Sequence, residues 1–163
     1  EYLEVIGSNE ALGDLILTLA EGFVGSRPVD DSILDELSLF PREGLEAGSI
    51  TLLSDNVFGH DRLDHTYIGH YRAGSAKLTA FISRRTSESE AEELGSAYVR
   101  FLIDNGGSEL GSSLGMPRVK VVQLFDTFEV VFIKGRVLAG VHEAEDQAAA
   151  EALALRLYEA LPP

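Results

Sequence analysis

Apolar and polar positions follow their clearest short-period pattern between residues 119 and 142, VKVVQLFDTFEVVFIKGRVLAGVH. Two breaks, Asp126-Thr127 and Lys134-Gly135, divide it into three β-rich runs. A two-residue loop ending in Gly suits a type I′ hairpin, because Gly accepts positive φ at little cost. The stretch therefore predicts a three-stranded antiparallel meander. Residues 67–72 and 77–83 predict a further hairpin around Ala73-Gly74-Ser75. In 77–83, Leu78, Ala80 and Ile82 alternate with Lys77, Thr79 and Phe81. Neither set is strongly polar, which predicts a central strand covered on both faces. Residues 2–6 and 49–54 are shorter strand candidates.

A 3.6-residue period marks the helices. Leu12, Leu15, Ile16, Leu19 and Phe23 share one face of a helix capped by Ser8 and running to about Gly22. Ser87 and Glu90 have capping-box spacing, and Ala91, Leu94, Tyr98, Phe101 and Leu102 form the stripe behind them. Asn105-Gly106 is the stop signal. Residues 106–117, rich in Gly and Ser, predict a surface loop. A last helix follows Glu143, Glu145 and Asp146, whose charges suit a helix N-terminus, and buries Leu153, Leu157 and Leu161. Residues 31–39 are a short-helix candidate before Pro41.

This order predicts an α+β fold: a mostly antiparallel sheet of five or more strands with three main helices packed on it, in a single domain over 1–163. A strand followed by an apolar helix stands at each end, at 2–23 and 138–161. The two read as equivalent parts of two repeats, with 1–25 the end of an upstream one. The start at Glu1, inside a strand-like run, reads as a processed or cut chain.

Of 163 residues, 45% are hydrophobic and 25% charged, ordinary for a globular domain. The net charge of −14 repels phosphate, which argues against sequence-independent nucleic-acid binding and against anionic membrane surfaces. There is no cysteine, so disulfides, thiolate zinc sites and a cysteine nucleophile are excluded. No apolar run reaches the length of a membrane-crossing helix.

His60, Asp61, Asp64, His65 and His70 lie within eleven residues. Imidazole with carboxylate is the usual zinc or iron ligand set without cysteine, which makes His60, Asp64 and His65 the metal candidates. The spacing matches no helical H-E-x-x-H motif, and Asp61 and Asp64 equally suit turns. No G-x-S-x-G elbow is present; Ser75 and His142 are conceivable triad parts with nothing to pair them. The loop at 106–115 lacks the Lys-Ser/Thr pair of a P-loop and precedes a strand. Arg84-Arg85 is a basic spot that acidic neighbours such as Glu88 can neutralise. Tyr67, Tyr71 and Phe81 cluster on the predicted hairpin as ligand-pocket candidates, with core packing the competing role.

Asn56, Phe58-Gly59, Leu63-Asp64, Tyr67, Tyr71, Ser89-Glu90-Ala91, Phe128, Phe132, Gly135 and Gly140 give the chain from about residue 50 onward a pattern that resembles a bacterial family of domains of unknown function. The resemblance implies an α+β fold, often of two similar halves, in proteins that frequently carry an export signal. It implies no activity, cofactor or catalytic residue. The expectation is a non-catalytic binding or interaction module of envelope or extracytoplasmic type, without cofactor, taking a small molecule or a protein. The alternatives are a metal-assisted hydrolase using His60, Asp64 and His65, and half of a pseudo-symmetric unit that forms a homodimer through an open sheet edge.

Overall fold

Seven strands pair in one antiparallel sheet, and two helices lie on its opposite faces. The computed structural model describes residues 12–26, 36–112 and 114–162. The chain divides into two compact units, Glu1–Asp35 and Glu36–Pro163. The first holds helix α1, Gly13–Gly25. No residue of α1 is buried: Leu15 and Leu19 are each 56% exposed, and Leu12, Ile16 and Phe23 of the same face are half-buried. The strand candidate 2–6, the Ser8 cap and most of 31–39 lie outside the described residues.

The second unit contains β1 (Thr51–Leu53), β2 (Thr66–Ala73), β3 (Ala76–Arg84), helix α2 (Glu88–Asp104), β4 (Ser108–Leu110), β5 (Val119–Leu124), β6 (Thr127–Lys134), β7 (Val137–Ala144) and helix α3 (Gln147–Ala160). The strand order is β1-β2-β3-β7-β6-β5-β4. Both predicted hairpin systems form, and the expected α+β class holds with seven strands. Each of the meander's turns is displaced by one residue from the pair the sequence suggested, the first earlier and the second later. They are Phe125-Asp126 and Gly135-Arg136, with Phe125 at φ 53° and Gly135 at φ 54°. Positive φ is needed at the first loop residue, so Gly stands there and not second. The predicted loop after Gly106 holds one element the pattern missed, the three-residue β4 paired to β5.

Strand alternation sorts the core into two layers. Phe81, Val122, Val131 and Leu138 meet Leu94, Tyr98 and Leu102 of α2. Ala80, Ile82, Val130, Phe132, Ala139 and Val141 meet Leu153, Ala154 and Leu157 of α3. β3 is thus covered on both faces, as its even polarity predicted. Ser87 caps α2 by accepting from the Glu90 N–H at 3.1 Å. The reciprocal half of the box shifts by one residue, since the Glu90 carboxylate takes the N–H of Thr86 at 2.9 Å. Asp146 caps α3 through the Ala149 N–H at 2.7 Å.

Gly140 shows how closely β7 is packed. A Cβ there would lie 1.8 Å from the Val130 carbonyl oxygen and 2.8 Å from the Phe81 ring. Both sheet edges are three-residue strands, and residues 44–46 shield the rest of β2 through Glu46 N–H to His70 O at 2.9 Å and Arg72 N–H to Gly44 O at 2.8 Å. So short an edge gives a second copy few backbone groups to pair with.

Candidate functional site

The β6–β7 ladder carries one irregularity, and the polar centre of the fold is built on it. Phe128 pairs with Ala144 and Val130 with Val141, so His142 and Glu143 together oppose the single residue Glu129. This is a β-bulge on β7, and Glu143 takes the left-handed conformation at φ 49°. The bulge removes the Glu143 N–H from the ladder. The Glu129 carboxylate accepts it at 2.9 Å.

Glu129 is fully buried on the α2 side of the sheet. Its other contacts are the Tyr98 hydroxyl, which donates to Oε2 at 3.2 Å, and His142 Nδ1, 2.9 Å from Oε1. Burial, then the charge of Glu129, push the Tyr98 phenol far up, so Tyr98 remains a donor. A carboxylate oxygen accepts from Nδ1–H, which assigns the imidazole proton to Nδ1 and leaves Nε2 as the outward atom. Three elements, α2, β6 and β7, thus converge on one carboxylate that locks the His142 ring. The ring is 17% exposed. Phe58 covers one of its faces, with centroids 3.6 Å apart and planes 20° from parallel. Phe58 belongs to the 3-10 turn Val57–Gly59 and sits at φ 54°, and its neighbour Asn56 is at φ 49°. Non-glycine residues in this region cost of order 1–3 kcal/mol each, and such strain gathers where function requires a geometry.

A polar row continues outward across the sheet. Thr79 is the ladder partner of both His142 and His70, and the Thr79 hydroxyl lies 3.2 Å from His70 Nδ1. Beyond the row, the tip of the β2–β3 hairpin and the end of β7 enclose an open cleft of about 520 Å3. His70, Thr79 and His142 line it together with Ser75, Lys77, Glu143 and Glu145. Glu46 and Arg72 add an ion pair of 2.5 Å at its rim. His142 Nε2 lies 3.8 Å from the Glu143 carboxylate.

The residues singled out from sequence separate in space. Ser75 and His142 reach the same cleft, but no hydroxyl is hydrogen-bonded to His142 Nε2 among the described residues. Tyr71 lines that cleft too, and its buried hydroxyl has no hydrogen-bond partner. Tyr67 belongs with Tyr71 to the α3-side core, whereas Phe81 is in the α2-side core, so the three do not converge on one pocket. His60 is 7% exposed and packs edge-on against Tyr98 and Phe101; burial lowers its pKa. The Asp64 carboxylate accepts from Arg85 at 2.6 Å, and that bond lowers its pKa. His65 is exposed beside it, with 3.4 Å between Nδ1 and the carboxylate. Asp64 is thus occupied with Arg85 and His65, while His60 is packed among rings. Among the described residues, no three His, Cys, Asp or Glu side chains are grouped to hold a metal ion.

A second concavity of about 650 Å3 runs between α2 and β5–β6, floored by Val99, Ile103, Val131 and Ile133. Two of its three lining cations are engaged, Arg118 with Glu88 at 2.5 Å and Glu92 at 2.6 Å and Lys120 with Glu109 at 2.5 Å; Arg100 is the third. It contains no group poised for chemistry.

Sequence reading missed Glu129 and Tyr98. The signal available for Glu129 was a single acid inside the apolar run FEVVFI. No family model, no curated protein and no solved structure matches the chain. No helix among the described residues is long and apolar enough to cross a membrane.

Proposed function

We propose that residues 36–163 form a small-molecule binding module whose recognition site is the cleft at the open end of the β2–β3 hairpin. One observation carries this reading: the partly exposed His142 imidazole lines an open cleft while a fully buried carboxylate fixes the ring. A side chain locked in rotamer and tautomer presents a defined acceptor to a ligand at little entropic cost. The mixed polar lining suits a small ligand with several hydrogen-bonding groups.

An acid–base enzyme is the second reading, favoured by the Glu129–His142 geometry, which matches the base half of a triad. Binding ranks above it because, among the described residues, no hydroxyl nucleophile is bonded to Nε2.

Protein-observed NMR with a panel of small amines, carboxylic acids, amino acids and sugars at millimolar concentration tests the proposal. Shifts are expected to cluster at Lys77, Thr79, His142 and Glu143. A panel that perturbs only the groove beside Val99 and Ile133, or nothing, would remove it.

A further inference from the structure

The geometry points to a ligand class: we infer that the cleft takes a molecule bearing a primary ammonium group, bridged between His142 Nε2 and the Glu143 carboxylate. The inference rests on the binding reading above and adds the chemistry of the bound group.

In its neutral form, with the one proton on Nδ1 given to Glu129, the imidazole offers only a lone pair at Nε2. The Glu143 carboxylate, 3.8 Å away, also only accepts. Two acceptors at that separation can both be satisfied by a single group carrying several N–H donors. An ammonium has three such donors and a positive charge. Carboxylate, phosphate and sulfate have none, and would meet Glu143 with like charge.

Electrostatics around the position agree. Glu145 stands on the same wall, and Glu129 is buried behind the ring. Arg72 is already bonded to Glu46, which leaves Lys77 as the cation of the lining that opposes this negative field. A metal ion is the competing cation. It needs three or more ligands arranged about one point, and the described residues contain no such group.

The test uses the whole chain and three probes: ethylammonium, tetraethylammonium, which keeps the charge without an N–H, and propionate. Long-range 1H–15N spectra of the imidazoles report on His142 Nε2. Ethylammonium is expected to shift that nucleus with a millimolar Kd, the ceiling for three heavy atoms. Tetraethylammonium and propionate are expected to leave it unmoved. Glu143→Gln should weaken ethylammonium about tenfold, since it removes one charge-assisted hydrogen bond. Lys77→Ala should tighten it. Both positions are exposed, so both variants fold. Equal binding of tetraethylammonium, or loss of the opposite response of the two variants, would overturn the bridged ammonium. Propionate binding in place of ethylammonium would overturn the ligand class and leave the binding module standing. Silence from all three probes would count against both.

Discussion

Truncation of Glu129 tests the centre of the molecule. Glu129→Ala deletes the acceptor for three donors: the Tyr98 hydroxyl at 3.2 Å, the Glu143 N–H at 2.9 Å and His142 Nδ1 at 2.9 Å. A hydrogen bond to a charged group contributes roughly 1.5–3 kcal/mol, and each buried donor left unpaired costs about 1–3 kcal/mol. His142 is 17% exposed, so water recovers part of its loss, while Tyr98 is sealed inside the core. Breaking a buried charge pair costs about 3–5 kcal/mol, and the same range is expected here. Glu129→Gln discriminates the hydrogen-bond argument from simple loss of volume. Its amide oxygen, in the place of Oε1, keeps both bonds made there, and its NH2 meets the Tyr98 hydroxyl, which can reverse to accept. The expected cost is about 1 kcal/mol. Urea unfolding followed by far-UV circular dichroism measures both variants, with the slope checked to be unchanged. The reasoning fails if Glu129→Ala loses less than about 1 kcal/mol, or if the Gln and Ala variants are equally unstable.

Gly140→Ala should cost at least about 3 kcal/mol, because its Cβ would sit 1.8 Å from the Val130 carbonyl oxygen, a backbone atom that cannot turn aside; near-native unfolding midpoints would contradict the packing described for β7. His60 links stability to pH. Burial lowers its pKa below 6.5, so on acidification the unfolded chain takes up the proton first and stability falls as the pH drops below about 6.5. His60→Phe should flatten that part of the curve between pH 7 and 5, and an unchanged slope would show that another group titrates there. Deletion of Glu143 combined with Glu129→Val and His142→Val should restore a regular β6–β7 ladder and keep Ala144 opposite Phe128. That variant is expected to unfold at or above the wild-type urea midpoint while losing ammonium binding, and a midpoint lowered by more than about 2 kcal/mol equivalents would assign the bulge to the fold alone.

Much of the scaffold was legible because it rests on local periodicity. Lys77–Ser83 has no polar face, and β3 is covered on both sides. The stripes Leu94-Tyr98-Leu102 and Leu153-Leu157 are the buried faces of α2 and α3. The turns at Phe125-Asp126 and Gly135-Arg136 were displaced by one residue because strand propensity runs unbroken across them, leaving only φ to mark the boundary. Three-residue β4 is too short for any period to show. The site was far less legible. Clustered histidines drew attention to residues 60–70, yet proximity in sequence placed His60 among aromatic rings and Asp64 against Arg85. His142 was visible as a candidate, but its partner was not. What brings Glu129 to it is a one-residue offset between two strands, and no composition or spacing encodes that offset.

The location of the costs argues for their use. A regular ladder here would need no left-handed Glu143, and a Val at 129 would need no partners. Replacement of buried ion pairs by well-packed apolar residues is often neutral or stabilising, so stability alone gives no reason for a carboxylate at a fully buried strand position. Phe58, itself left-handed, stacks on the same imidazole at 3.6 Å, and its chain neighbour Asn56 is left-handed as well. The buried charge, the bulge and the left-handed turn therefore share one outcome: they hold a single, partly exposed ring in the lining of an open cleft beside the β2–β3 hairpin tip. Other left-handed residues lie away from the site, Phe125 in the β5–β6 turn and His65 and Arg118 outside the strands, but Phe58 and Glu143 both bear on His142, which makes that ring the residue through which a ligand of this cleft should be recognised.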